Sequence, residues 1–338
     1  MIPLNAERQS FMPEPAGRLK IRDESRAVWL MLGSSLAFSL MDVCSKLAVA
    51  QVGVWPLTCY RGVMLAAIMA ALIRLQARRR RGADASSGCR LAADRAALAG
   101  HGRWRRLLAD RNAWLLLSRG VFGSLGLVCY LYAISRMKLA DAVILNKTSP
   151  VFVILFAALM LNERITAGQM LALATGFYGV YHVVKPNLSM EMAAGLVGLL
   201  SAVFSALAYL SVKKLTEWFS PLHIVLCFAV VSVVMALPAT VAGFRMPPAA
   251  GWLPVLGVGA SAALGQLTMT HAYRLAPAGR ISIATYANVV FAVAWGWWLF
   301  GEVQDGRSLL GGALILASTL SLLFMGGRTP RRSAARRE

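Results

Sequence analysis

Hydrophobic residues run along this chain in long unbroken stretches, not in alternation with polar ones. Ten stretches stand out, at roughly 27–50, 56–76, 113–134, 139–161, 166–184, 193–212, 222–243, 251–273, 280–300 and 307–326. A helix needs about 20 apolar residues to cross the hydrocarbon core of a bilayer. Only helices and closed barrels satisfy their backbone in lipid, and a barrel strand alternates with a period of two. The pattern therefore predicts an all-α integral membrane protein of ten transmembrane helices.

The polar intervals divide the chain. Residues 1–26 read as a polar tail, and the first apolar segment is too long for a cleaved secretory signal and is expected to be retained. Residues 77–112 form a long Arg-rich interval, 185–192 a short connection, and 327–338 a basic tail. The chain also repeats. "AFSLMDVCSKLAVAQVGVWPL" resembles "VFSALAYLSVKKLTEWFSPL", matching Phe38, Ser39 and Pro56 to Phe204, Ser205 and Pro221. The later parts align without a gap at an offset of 139, with Ala133 on Ala272, Phe152 on Phe291 and Glu163 on Glu302. Residues 27–184 and 193–326 are thus two units of five spans each. An odd number of spans puts the second unit in the membrane with opposite polarity, and inverted repeats are the architecture of secondary transporters with a site near the midplane.

Composition agrees: 58% of the 338 residues are hydrophobic and 15% charged, with a mean hydropathy of +0.60. The net charge of +20 suggests nucleic acid until the charges are located. Of 35 Lys and Arg, 26 fall on the side shared by the two termini, 5 on the other side, and 4 within spans. This is the positive-inside bias. It predicts cytoplasmic termini in the inner membrane, an external connection at 185–192, and no nucleic-acid partner. The interval 77–112 reads as a topology determinant or as a helix lying on anionic lipid, where each basic residue contributes about 1 kcal/mol. Four of the five cysteines lie within spans without paired spacing, so neither a disulfide framework nor a metal site is expected. No cofactor motif occurs.

The stretch from Ala133 to Val183 carries Ala140, Pro150, Asn162-Glu163-Arg164 and Gly176, and the second unit carries Ala278, Gly301-Glu302 and Gly311-Gly312. In these elements the chain resembles an EamA-type member of the drug/metabolite transporter superfamily, over residues 27–326. Asn162 departs from the family's Gly, Val289 stands at the proline position of the second copy, and Val303 stands for Arg; the two halves are therefore unequal. The resemblance implies a cavity lined mainly by spans 1, 3, 4, 6, 8 and 9. Its members move amino acids, nucleosides, related metabolites and drugs, often as exporters.

An ionisable residue inside a span is a candidate functional site, because a charge at the bilayer centre costs about 2.5 kcal/mol or more. Lys147 and Asp42 each lie roughly 12 Å below the outer edge at 1.5 Å per residue, which predicts an Asp–Lys pair. Asp42 is also the candidate proton carrier. Pro150 removes a donor and frees the carbonyl of Asn146, so Asn146, Lys147 and Thr148 are expected where the helix opens into a wet cavity. Tyr286 aligns with Lys147 in the second copy, and span 8 contributes Gln266 and His271. Arg119 either binds a carboxylate or reaches the inner headgroups. Lys46, four residues beyond Asp42, either pairs with it or snorkels. Arg61 is expected to snorkel from a peripheral span, Glu163 and Glu302 to hold helix ends, and at least two of Trp295, Trp297 and Trp298 to face lipid.

The function expected is export of a small polar metabolite, an amino acid or a carboxylate-bearing amino-acid derivative, by alternating access. The partners expected are the small-molecule substrate and membrane lipids, with the protein a monomer or weak homodimer. The alternative is a flippase for lipids or lipid-linked sugars, its basic interval gathering anionic headgroups. An intramembrane enzyme has little support: Gly33-Ser34-Ser35 is a loose nucleophile-like run with no histidine paired to it.

Overall fold

A computed structural model describes residues 19–86, 113–161, 166–185, 190–215, 219, 221–244, 246–275 and 282–326. Among these are eleven α-helices and two 3-10 segments, and no strand. The helices are α1 (Leu19–Val52), α2 (Val54–Ser86), α3 (Ala113–Arg136), α4 (Leu139–Asn146), α5 (Ser149–Leu161) and α6 (Ala167–Val184). The second half contributes α7 (Met190–Leu215), α8 (Pro221–Ala242), α9 (Trp252–Leu275), α10 (Ala287–Phe300) and α11 (Gly306–Gly326). Seven helical stretches are apolar and long enough to cross a membrane, and Ala284–Phe300 and Gly306–Leu322 are shorter apolar helices.

The helix α2 runs on to Ser86, so the interval predicted as a loop from residue 77 begins as helix. The rest of that interval, both tails before residue 19 and after 326, and Glu163 lie outside the described residues.

Helix ends follow local chemistry. Gly53 separates α1 from α2 at φ +84, a conformation open to glycine at no steric cost. Thr166 and Gln169 form a reciprocal capping box at the start of α6. Gly301 closes α10 at φ +63.

Two spans are divided. The chain leaves α4 at Lys147–Thr148 and resumes at Ser149. Pro150 falls in the first turn of α5, where its missing N–H has no intrahelical partner to lose. The Thr148 backbone N–H and hydroxyl both donate to the Leu145 carbonyl, at 3.1 and 2.6 Å. In the second half a 3-10 turn, Ser282–Tyr286, leads into α10. Tyr286 is the residue aligned with Lys147, so both halves change helical geometry at the same place. The second does so without a proline.

The four most extensive helix pairs are α1 with α9, α3 with α7, α2 with α8 and α6 with α11, and α4 also packs on α10. Exchanging the halves maps this set onto itself: α1–α9 becomes α7–α3, and the other three map to themselves. The core has two main lobes. One joins Met41, Leu57, Leu131, Phe228 and Val258; the other joins Val43, Ile134, Leu145, Val183 and Ile315. Met41 and Val43 belong to different lobes, which puts Asp42 at their junction.

Backbones approach most closely between α6 and α11. A Cβ on Gly179 would stand 2.7 Å from the Gly311 carbonyl oxygen, and the reverse distance is 2.6 Å. Small residues are what permit such contact between helices. Gly179→Leu is predicted to lower the melting temperature of the detergent-purified protein by several degrees, since overpacking costs about 1–3 kcal/mol. Gly33→Ala, where a Cβ meets nothing within 4 Å, should leave it unchanged. Equal melting temperatures for the two variants would refute this packing.

Candidate functional site

Asp42 projects from α1 with 2% of its surface exposed. A carboxylate so deep needs donors. Asn288 Nδ2 donates to its Oδ2 at 3.2 Å, and the Tyr130 hydroxyl on α3 hydrogen-bonds to it as well. Lys147 and Arg61 act on it electrostatically. Asn288 is itself 4% exposed and stands two residues past the 3-10 turn of the second half, so the Asp42–Asn288 hydrogen bond joins the two halves. One turn back on α1, Ser39 accepts from Trp295 Nε1 at 3.1 Å. Ser39 and Asp42 thus hold Trp295 and Asn288, seven residues apart on one face of α10.

Lys147 sits at the break in α4, half-buried, with its backbone N–H on the Val143 carbonyl at 3.0 Å. It lies in the field of Asp42 but makes no direct salt bridge to it among the described contacts. Asn288 and Tyr130 occupy the carboxylate instead of the predicted lysine. Asn146 turns to α7, its amide donating to Ser201 Oγ at 3.1 Å and Ser205 Oγ at 3.5 Å. Thr148 is buried and its hydroxyl is committed to the backbone.

The other predicted residues are less tightly gathered. Tyr286 is half-buried at the end of its 3-10 turn, and Gln266 is half-buried on α9. His271 is exposed near the end of α9, and no described contact joins it to Asp42. Arg119 is drawn against the ring of Phe228, 4.7 Å from guanidinium carbon to ring centroid. Arg61 differs most from expectation: instead of snorkelling it is 6% exposed and faces the interior, 5.8 Å from the same ring. Trp297 and Trp298 are 66% and 70% exposed, as lipid-facing residues would be.

A second polar layer closes one end of this group. Lys46, a turn beyond Asp42, pairs with Glu302 and donates to the Met137 carbonyl at 3.0 Å. The other Glu302 oxygen accepts from the Leu139 backbone N–H at 2.7 Å, so one carboxylate neutralises a lysine and caps α4. Lys138 donates to the Val303 carbonyl at 2.6 Å, and Lys185 pairs with Asp305 at 2.6 Å. All of these contacts except Lys46–Met137 link the first half to residues 302–305. A cavity of about 600 Å³ at this end, lined by Val49, Trp55, Tyr132 and Arg136 among others, includes none of Asp42, Lys147 or Asn288.

The hydrogen bond from Lys185 holds the Asp305 carboxyl down at about 2, against an ordinary 3.8. A carboxylate depressed on folding contributes stability above its unfolded value and loses it as pH falls through the folded one. The melting-temperature difference between wild type and Asp305→Asn should therefore be lost as pH falls toward 2. A difference undiminished near pH 2 would show that the Lys185–Asp305 pair does not carry it.

The EamA-like transporter family profile matches residues 25–185 and 192–324. The pseudopaline exporter CntI of Pseudomonas aeruginosa is 39% identical over 217 residues, 64% of this chain and 76% of that protein. A riboflavin transporter of Vibrio cholerae is 30% identical over 218 residues, covering 63% and 72%. One solved crystal structure shares the fold at a TM-score of 0.55 and 16% identity, over 90% of this chain and 98% of that one.

Proposed function

The chain belongs to the EamA-like transporter family, and from that premise we propose that it exports an amino acid or a carboxylate-bearing amino-acid derivative by alternating access. It is a multi-pass protein of the inner membrane, and its relatives are small-molecule transporters rather than enzymes. The observation that carries the reading is the Asp42–Asn288 hydrogen bond between the halves, with Lys147 beside it where α4 is broken. A buried anion on α1 and a cation at the break in α4 match the two charges of an amino acid, the ammonium toward Asp42 and the carboxylate toward Lys147. The 39% identity to an exporter favours outward transport. The charge distribution supports cytoplasmic termini, and on that orientation the Lys46–Glu302 layer is the external gate, closed here.

Counterflow tests the reading. Proteoliposomes preloaded with unlabelled amino acids, or with derivatives bearing two or three carboxylates, should accumulate the corresponding labelled compound from outside. Protein-free liposomes should not. If no carboxylate compound exchanges while riboflavin or a nucleoside does, the substrate class is wrong.

A further inference from the structure

We propose that Arg61 and Arg119, set on the ring of Phe228, form a second anion subsite that takes an additional carboxylate of the substrate. The proposal rests on the transport reading above and narrows it to substrates with at least two carboxylates and an amine.

The argument starts from charge. Lys147 and Arg61 both act on the single Asp42 carboxylate, and Arg119 adds a third positive charge beside Arg61. A buried lysine has the option of releasing its proton, but an arginine does not. Both guanidinium groups therefore stay charged, and a buried charge needs a partner. Part of their hydrogen-bonding capacity is unfilled: Nε and Nη1 of Arg61 and Nε of Arg119 are buried with no acceptor among the described residues. Unlike the lysines at the Glu302 end, each with a carboxylate or carbonyl, these two arginines share an aromatic ring and make no salt bridge among the described residues.

Geometry adds to this. The guanidinium carbons lie 5.8 and 4.7 Å from the centroid of Phe228, on α8, and approach it from α2 and α3. Stacking on a ring positions a guanidinium by its face and leaves its edge N–H groups for a planar anion, which carboxylate matches bidentately. Gly123 makes the arrangement possible, since a Cβ there would fall on the Arg119 guanidinium and within 2.9 Å of the Phe228 ring. Arg61 feels both Asp42 and Arg119, so it links the arginine pair to the Asp42 cluster electrostatically.

Two small probes separate the subsites. Glycine carries one carboxylate and one ammonium, and iminodiacetate adds a second carboxylate. Ligand-dependent shifts in melting temperature of the purified full chain, in a Tris–HEPES buffer free of chloride and carboxylates, give their relative affinities without relying on transport. Wild type should bind iminodiacetate more tightly than glycine. Arg61→Gln and Arg119→Gln should each weaken iminodiacetate about thirtyfold, the loss of a charge-assisted contact, while glycine changes less than threefold. Phe228→Leu, which keeps both charges and removes their platform, should weaken iminodiacetate selectively if the glutamine variants do not fold. Equal binding of the two probes by wild type, or equal loss of both in the variants, overturns the proposal. Stabilisation by chloride alone, removed by Arg61→Gln, also overturns it and makes the pair an inorganic-anion site. If glycine binds at Asp42 and Lys147 yet iminodiacetate gains nothing, the transport reading stands and this subsite falls.

Discussion

Asp42→Asn is expected to abolish uphill, proton-driven transport while sparing counterflow. An amide at this position keeps an oxygen to accept from Asn288 and from Tyr130, so the junction between the halves retains its hydrogen bonds. What it loses is the negative charge facing Lys147 and Arg61, and with it the group able to carry a proton through the bilayer. Accumulation driven by an imposed pH gradient should fall to background in proteoliposomes, with exchange at equal concentrations reduced but measurable. If the variant still concentrates substrate against its gradient, the proton travels by another route.

The second large effect is predicted for Lys147→Ala. Lys147 ends α4 with φ −71 and ψ −1, a conformation alanine adopts without strain, and its backbone hydrogen bond to Val143 does not involve the side chain. The melting temperature should therefore stay within a few degrees of wild type. Transport should drop at least about thirtyfold, because a carboxylate in a low-dielectric cavity loses a charge-assisted contact of about 2 kcal/mol or more. Lys147→Arg should recover part of the loss. A glutamine at 302 acts differently: it weakens the bond to Lys46 but keeps an oxygen for the Leu139 amide. It should alter gate closure and leave the substrate contacts in place.

Some of this was legible in the chain and some was not, for reasons that differ by residue. Continuous apolar runs locate helices well, because lipid-facing and core-facing positions are both hydrophobic: seven stretches are helices long and apolar enough to cross a membrane, and two more are shorter apolar helices. The break at Lys147–Thr148 was signalled by Pro150, a residue with a fixed backbone consequence. Its counterpart at Tyr286 carried no such signal, since neither proline nor glycine stands there. Counting residues from a span end gives depth but not direction. Lys46 and Arg61 have similar depth, and only packing assigns one to Glu302 and turns the other inward. The partners of Asp42 escaped for a related reason: Tyr130 and Asn288 lie 88 and 246 residues away, and only the assembly of the two halves brings them together.

Equilibrium binding of a labelled substrate identified by counterflow tests most directly whether the cluster between the halves is the transport site. Purified wild type, Lys147→Ala and Glu302→Gln would be compared at one pH in scintillation proximity assays. Recognition at Asp42, Asn288 and Lys147 predicts that Lys147→Ala binds at least about thirtyfold more weakly, while Glu302→Gln binds as wild type does. Wild-type affinity in Lys147→Ala, at an unchanged melting temperature, would contradict it.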